Sequence, residues 1–216
     1  MRIDIVSDVI CPWCYIGKRR LDRALRARPA VAASATLSWR AFQLNPEMPA
    51  SGISRDAYLS AKFGNAGHAR RAYASVAEAG AAEGIEFDFD RIRRTPNTRD
   101  AHRLIRYAAR RGRAEPTVEA LFRAYFRDGR DIGDRAALIE IADEVGFEPA
   151  HAADYLASGD GLDDVLSEDR SARRLGINAV PCFIIDGGYA ISGAQEPEFF
   201  LPLFDLALNA PMAVEE

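Results

Sequence analysis

Two cysteines separated by a proline and a tryptophan, Cys11-Pro12-Trp13-Cys14, carry the clearest chemical signal in this sequence. They follow a stretch rich in Ile and Val that is typical of a strand, and they begin a pattern of helical period. In a protein with few cysteines, a Cys-x-x-Cys at a strand-to-helix junction indicates thiol–disulfide exchange.

The start of a helix favours ionisation of Cys11. A thiolate is the nucleophile in disulfide exchange, and a free cysteine, with a pKa of about 8.5, is mostly protonated at neutral pH. Free N–H groups and the helix dipole stabilise negative charge there, and Pro12 suits the first helical position. We therefore expect Cys11 to be a solvent-accessible nucleophile. Cys14, on the helix face of Gly17 and Leu21, is expected to be the buried thiol that resolves a mixed disulfide.

Two alternatives to redox chemistry exist for this pair: a zinc site, and two unrelated core cysteines. A structural zinc site needs about four ligands. Beyond the motif, the only cysteine and the three histidines of the chain are scattered: Cys182, His68, His102 and His151. We therefore expect no metal.

Composition and charge exclude several classes of protein. The chain has 216 residues, 48% of them hydrophobic, and a formal net charge of −4, which offers no basic surface for nucleic acid. No run of about 18 apolar residues is present, so we expect no membrane span, and the first eight residues lack a signal-peptide pattern. Three cysteines are too few for a disulfide scaffold. We expect a cytoplasmic protein.

The hydrophobic pattern places strands near the two ends of the chain and helices between them. The predicted elements are a strand over 2–8, a helix from Pro12 to about Arg28, a strand over 36–44, helices without a convincing strand from about 53 to 176, strands over 182–186 and 189–192 joined by a turn at Gly187-Gly188, and a helix around 199–207. This order predicts an α/β fold in one interrupted domain. The predicted core segments are 1–52 and 160–216, and the predicted helical insertion is 53–159.

A proline precedes the third predicted strand of the core. Because Pro181 cannot donate to a sheet, it must lie at the first position of the strand or in a special turn. Only about 5% of X-Pro bonds are cis, so the local sequence by itself favours a trans Val180–Pro181 bond.

Several segments together resemble the DsbA-like thiol–disulfide oxidoreductases of the FrnE type. They are Asp8-x-x-Cys11-Pro12-Trp13-Cys14-Tyr15-Ile16-Gly17, Phe42-Gln43-Leu44-Asn45-Pro46, Asn97-Thr98-x-x-Ala101-His102-Arg103-Leu104 and Val180-Pro181. Related groups are the 2-hydroxychromene-2-carboxylate isomerases and the kappa-class glutathione transferases. The resemblance implies a thioredoxin-like fold with a mixed four-stranded sheet and a helical insertion. It also implies a cis Val180–Pro181 bond against the cysteines, where the Val180 backbone meets an extended substrate and the proline keeps metals away.

Four further residues are candidates for the site. Asp8 is a candidate proton relay to Cys14. We favour the alternative interpretation, in which its carboxylate binds nearby turn backbone. His102 is a candidate for substrate contact. The alternative, which we favour, is an ordinary partly buried histidine. Cys182 stands where the resembling proteins often have an aromatic or aliphatic residue, and we expect a buried, inert thiol rather than an accessory redox cysteine. Trp13 is expected to form part of the substrate surface and to affect thiol pKa values.

These observations predict reversible dithiol–disulfide exchange with a protein or small-molecule disulfide or dithiol. No cofactor is expected to be required, glutathione or another low-molecular-weight thiol is a candidate reductant, and a homodimer is a candidate assembly. We expect no nucleic-acid or membrane partner. One alternative is a glutathione-dependent isomerase or transferase of the related groups, in which the position of Cys11 is typically serine. Another is a redox-regulated holdase, which would bind clients without turnover.

Overall fold

A strand–helix–strand unit precedes a long run of helices, and two strands and a helix close the chain. The fold is given by a computed structural model that describes residues 1–209. In chain order the elements are β1 (Arg2–Ser7), α1 (Pro12–Arg26), α2 (Pro29–Ser34), β2 (Thr36–Ala41), β3 (Ile53–Ser54), α3 (Arg55–Phe63), α4 (Ala66–Ala82), a 3-10 turn (Phe89–Arg91), β4 (Arg94–Thr95), α5 (Arg99–Ala109), α6 (Ala114–Phe126), α7 (Arg135–Glu144), α8 (Pro149–Ala157), α9 (Leu162–Arg174), β5 (Cys182–Ile185), β6 (Tyr189–Ser192), a second 3-10 turn (Pro197–Phe199) and α10 (Leu201–Asn209).

A mixed four-stranded sheet, in the order β2-β1-β5-β6, lies at the centre of these described residues. β1 runs parallel to β2 and antiparallel to β5, and β5 pairs antiparallel with β6. Every residue of β1 after Arg2 is buried, because strands flank it on both sides and helices cover it, as its run of apolar residues predicted. The predicted α/β architecture with a mixed four-stranded sheet is confirmed.

Helix α1 is fixed against the inserted helices by stacking and by ion pairs. The ring of Tyr15 stacks on Phe122 of α6 with centroids 4.8 Å apart, and its hydroxyl donates to Glu119 at 2.6 Å. Lys18, which is buried, pairs with Glu119 of α6 at 3.5 Å and with Asp22 of its own helix at 2.9 Å, so its ammonium has the partners that a buried charge requires. These contacts orient the helix that begins at the cysteine motif.

The helices between β2 and β5 pack around a shared apolar interior. The predicted stripes of this segment are buried at Leu104, Leu121 and Leu138, and α5 and α9 pack against β2. Among residues 1–209, none of the helices combines the length and hydrophobicity needed to cross a bilayer. The division into core and insertion stays a prediction, and its last segment, 210–216, lies outside the described residues.

Two short strands correct the prediction that the segment from about 53 to 176 contains no convincing strand. β3 and β4 pair antiparallel, with Ile53 opposite Thr95. Each strand has two residues, so the alternation that identifies a strand in a sequence cannot develop. The first helix ends at Arg26, two residues before its predicted end at about Arg28, and the separate helix α2, which begins at Pro29, was not predicted.

The hairpin between β5 and β6 turns one residue earlier than predicted. The Gly188 N–H donates to the Ile185 carbonyl at 3.1 Å, which makes Asp186 and Gly187 the central residues. Both have positive φ, 45° and 70°. Asp-Gly suits such a turn because aspartate tolerates the left-handed region and glycine meets no steric penalty there.

Candidate active site

The cysteine motif lies at the junction of β1 and α1, as the sequence predicted. Cys11 is the N-cap of α1, with φ −93° and ψ 112°, and Pro12 is the first helical residue. The Cys11 N–H donates to the Asp8 carbonyl at 3.0 Å, and the Cys14 N–H donates to the Cys11 carbonyl at 3.0 Å. The start of one helix therefore holds both sulfurs, and both are free thiols.

A loop from the far end of the chain covers Cys11. The Val180–Pro181 bond is cis, as the resemblance implied, and the Cys11 thiol donates to the Val180 carbonyl at 3.5 Å. Cys11 is consequently only 5% exposed, so the prediction of a solvent-accessible sulfur was wrong. Trp13, at 37% exposure, forms the open surface beside the covered sulfur.

The environment of Cys11 favours its thiolate. The largest influence is the Cys14 thiol, which donates to the Cys11 sulfur and lowers the pKa of Cys11. Burial and the charge of Asp8 oppose this effect, whereas the backbone N–H groups of Cys14 and Trp13 support it. The net result is a pKa below that of an ordinary cysteine, as expected for a thiolate facing free N–H groups at a helix N-terminus.

Cys14 has the opposite character. It is 1% exposed, and burial raises its pKa well above the usual value, with a further increase from its bond to the Cys11 sulfur. The Ser7 side chain and the Asp8 backbone N–H lower the pKa of Cys14 in part. The pair therefore combines one thiol that ionises readily with one that keeps its proton, which is the asymmetry that disulfide exchange uses.

Gly17, one turn after Cys14, lets α1 approach the cis-proline loop. A Cβ at this position would lie 2.8 Å from Pro181 Cγ and 3.1 Å from Phe183 Cζ. Both distances are shorter than ordinary van der Waals contact, so only glycine fits without displacing Pro181 or its strand. The spacing of the motif from the loop thus depends on a residue that bears no functional group.

We expect Gly17→Ala to lower the free energy of unfolding by about 1–3 kcal/mol, as overpacking of a filled core does, and to slow disulfide exchange by displacing Pro181. Denaturant unfolding and an insulin-reduction assay measure the two effects. Gly159→Ala is the matched control, because a Cβ there meets nothing within 4 Å. Equal stability of the two variants would contradict the proposed close packing.

Asp8 and His102 form a buried pair below the motif. The Leu44 N–H donates to Asp8 Oδ2 at 2.7 Å, so the prediction that this carboxylate binds nearby turn backbone was wrong. Leu44 was also predicted to lie inside the second strand, which ends at Ala41. His102 Nε2 lies 3.2 Å from the Phe42 carbonyl and 3.4 Å from Asp8 Oδ1. His102 is 4% exposed, so it is more deeply buried than expected and lies beneath the motif rather than on an open surface.

The remaining cysteine is apart from this pair. Cys182 lies opposite Val6 in the sheet, and burial raises the pKa of its thiol, consistent with the expected buried cysteine. Sequence reasoning missed two residues near the motif, Ser7 and Lys62. Lys62 is exposed on α3 and within electrostatic reach of Cys11. Its one signal in the sequence is that only two lysines occur in the chain.

Comparison with known proteins places this architecture in a family. The DSBA-like thioredoxin domain matches residues 2–204. A crystal structure of a probable DsbA oxidoreductase from Streptomyces coelicolor is 32% identical, with a TM-score of 0.89 over 100% of this chain and 93% of that one. The chain therefore belongs to the DsbA-like thioredoxin domain family, and the predicted thioredoxin-like fold is confirmed.

Two more distant structures share the fold. The cytosolic disulfide reductase DsbM from Pseudomonas aeruginosa, solved with GSH, has a TM-score of 0.69 at 18% identity over 97% of this chain and 100% of that one. A 2-hydroxychromene-2-carboxylate isomerase has a TM-score of 0.71 at 15% identity, with 96% of each chain covered. Within the described residues, no group of three or more His, Cys, Asp or Glu side chains is arranged to hold a metal ion.

Proposed function

We propose that this protein is a dithiol–disulfide oxidoreductase that uses Cys11 as the nucleophile and Cys14 as the resolving thiol. The observation that carries the proposal is the opposite pKa shift of two free thiols at one helix start. A lowered pKa supplies thiolate at neutral pH, and a raised pKa keeps the second sulfur protonated until the first has reacted.

The reaction follows from this order of ionisation. The Cys11 thiolate attacks one sulfur of a substrate disulfide, a bond forms between them, and the other substrate sulfur leaves as a thiolate. Cys14 then loses its proton and attacks Cys11, which closes the Cys11–Cys14 disulfide and releases the second substrate thiolate. Two electrons pass from the enzyme to the substrate, and the reverse sequence oxidises a dithiol.

The cis-proline loop supplies a surface for the substrate. The Val180 carbonyl accepts from the Cys11 thiol at 3.5 Å, so an extended chain that reaches Cys11 must pass the Val180 backbone. Trp13 is exposed next to it and offers a flat apolar surface. We propose that a protein or small-molecule disulfide binds here and displaces the Val180 contact with the sulfur.

We further propose a cytoplasmic location and a low-molecular-weight thiol such as glutathione as reductant. Three cysteines in 216 residues are too few for a disulfide-stabilised scaffold, as is usual for proteins of a reducing compartment. The relative DsbM, a cytosolic disulfide reductase solved with GSH, supports both parts of this proposal. The cysteine pair favours redox chemistry over the isomerase alternative, because an isomerase requires no resolving thiol. A redox-regulated holdase would also use the pair, but it would bind clients without turnover.

The experiment that tests the proposal is catalysed reduction of insulin or of a small disulfide by dithiothreitol. We expect Cys11→Ser to reduce turnover to the uncatalysed background, because no other thiol combines a lowered pKa with this position. Cys182→Ser is the matched control, since it removes a cysteine outside the motif, and it should retain the wild-type rate within about twofold. Wild-type turnover equal to background, or an active Cys11→Ser variant, would refute the proposal.

A further inference from the structure

Cys14 requires a route for its proton that does not pass through solvent. It is 1% exposed, yet the resolving step of the proposed function needs its thiolate. The Asp8 carboxylate is directed at other groups: Oδ2 accepts from the Leu44 N–H at 2.7 Å, and Oδ1 lies 3.4 Å from His102 Nε2 without a well-aligned hydrogen bond. The group of Asp8 that acts on the Cys14 sulfur is its backbone N–H.

The Ser7 hydroxyl is the side-chain oxygen that neighbours Cys14. The Ser7 side chain lowers the pKa of Cys14, and its hydroxyl is buried without a well-aligned hydrogen bond. Buried hydroxyls are ordinarily hydrogen-bonded, so such a group calls for an explanation.

A small cavity adjoins Ser7 on the side of the inserted helices. It offers about 10 Å³ to a water-sized molecule, close to the ~10–15 Å³ that one water needs. Its polar lining comes from β1, β2, α5 and α9: Ser7, Arg40, His102, Arg106 and Glu168. Arg106 Nε, like the Ser7 hydroxyl, is buried without a hydrogen-bond partner. A single water in this cavity would satisfy both atoms.

His102 has the tautomer needed to accept a proton. Both neighbours of Nε2, the Phe42 carbonyl at 3.2 Å and Asp8 Oδ1 at 3.4 Å, are acceptors, so Nε2 carries the hydrogen of the neutral ring. This leaves Nδ1 as the basic nitrogen. The Leu44 N–H holds the Asp8 carboxylate in place beside the ring.

We propose that Ser7 and His102, joined by one water bound in this cavity, form the proton route of the resolving cysteine. This inference rests on the proposed function. The Cys14 proton passes to Ser7 Oγ as the Ser7 proton passes to the water, and a water proton passes to His102 Nδ1. The Cys14 sulfur forms its bond to Cys11, the bond from Cys11 to the substrate sulfur breaks, and the substrate leaves as a thiolate.

The two steps of exchange can be timed separately with 5,5′-dithiobis(2-nitrobenzoate) in a Cys182→Ser background. Attack by Cys11 releases one coloured thionitrobenzoate, and attack by Cys14 on the mixed disulfide releases a second. We expect Ser7→Ala and His102→Gln to leave the first release within about twofold of wild type. Both should slow the second by about tenfold or more, since general acid–base groups contribute 10²–10⁴-fold.

The pH profile separates proton transfer from a structural role. In the two variants, hydroxide must take the Cys14 proton, so the rate of the second thionitrobenzoate release should rise by about tenfold per pH unit. In wild type, this rate should rise less steeply. The charged groups around His102 are Asp8, Arg40, Arg106 and Glu168, and both variants retain them. His151→Gln, on an exposed histidine of α8, is the matched control and should behave as wild type.

Two outcomes separate a failure of the proton route from a failure of the proposed function. If Ser7→Ala and His102→Gln keep the wild-type second rate and pH profile, the proton route is wrong and disulfide exchange stands. If wild type shows no second release that depends on Cys14, the proposed function itself fails. Ser7→Ala removes a single oxygen, so it decides the question even if the buried His102→Gln substitution prevents folding.

Discussion

Replacing Cys14 with serine is expected to lock Cys11 to its substrate as a stable mixed disulfide. Cys11 keeps a hydrogen-bond donor beside it, so its attack on the substrate continues. Release should slow by at least about 1,000-fold, because a well-oriented intramolecular group acts like a reagent at ~10⁵ M or more, whereas an external thiol is present only at millimolar concentration. Mass spectrometry of the Cys14→Ser protein after reaction with a disulfide-containing peptide measures the adduct and its lifetime.

A variant without either thiol of the motif is the control for that experiment. Cys11→Ser combined with Cys14→Ser should form no adduct, because the pKa of the remaining thiol, Cys182, is raised whereas that of Cys11 is lowered. An adduct mapped to Cys182, or rapid release from the single Cys14→Ser variant, would show that another group resolves the mixed disulfide.

The largest effect on stability is expected from Arg103→Met. The last carbonyls of a helix have no hydrogen-bond donors within it. At the end of α8, the Arg103 side chain supplies the missing donors. Its guanidinium donates to the carbonyls and carboxylate of Tyr155, Leu156, Ser158, Asp160 and Asp100 at 2.7–3.2 Å. Methionine keeps much of the side-chain length but removes the donor to the carbonyls of Leu156, Ser158 and Asp160, so we expect a loss of about 3–5 kcal/mol in the free energy of unfolding.

Chemical denaturation measures that loss, with Arg110→Met as its control. Arg110 lies near the end of α5 and its side chain is 56% exposed in an ion pair with Asp164, a kind of contact that contributes about 0–1 kcal/mol. A similar small effect for both substitutions would mean that the buried network around Arg103 contributes little to stability.

The sequence predicted best what depends on neighbours along the chain. Cys11 at a helix start, Pro12 as the first helical residue and the buried Cys14 follow from spacing alone, and the structure has all three. The long run of helices followed from periodicity. The two-residue strands β3 and β4 did not, because a pairing so short leaves no alternation to detect.

What the sequence did not predict comes from contacts between distant segments. Cys11 was expected to be open to solvent, and the carbonyl of Val180, 169 positions away, covers it. The Asp8 carboxylate was expected to bind its own turn, and it binds the Leu44 N–H instead. The role of Ser7 depends on how β1 lies beside α1 and α5, which no local pattern records.

The central claim is that Cys11 ionises first and that Cys14 stays protonated. The most direct test is the rate of iodoacetamide alkylation of the reduced protein across pH, with the modified residue identified by mass spectrometry. Because the pKa of Cys11 is lowered, its alkylation should persist below the pKa of an ordinary cysteine and decline only as pH falls through its own lower value. Cys14, with its raised pKa, should remain unmodified over that range. Alkylation of Cys14 before Cys11, or a Cys11 pKa at or above that of an ordinary thiol, would contradict the account.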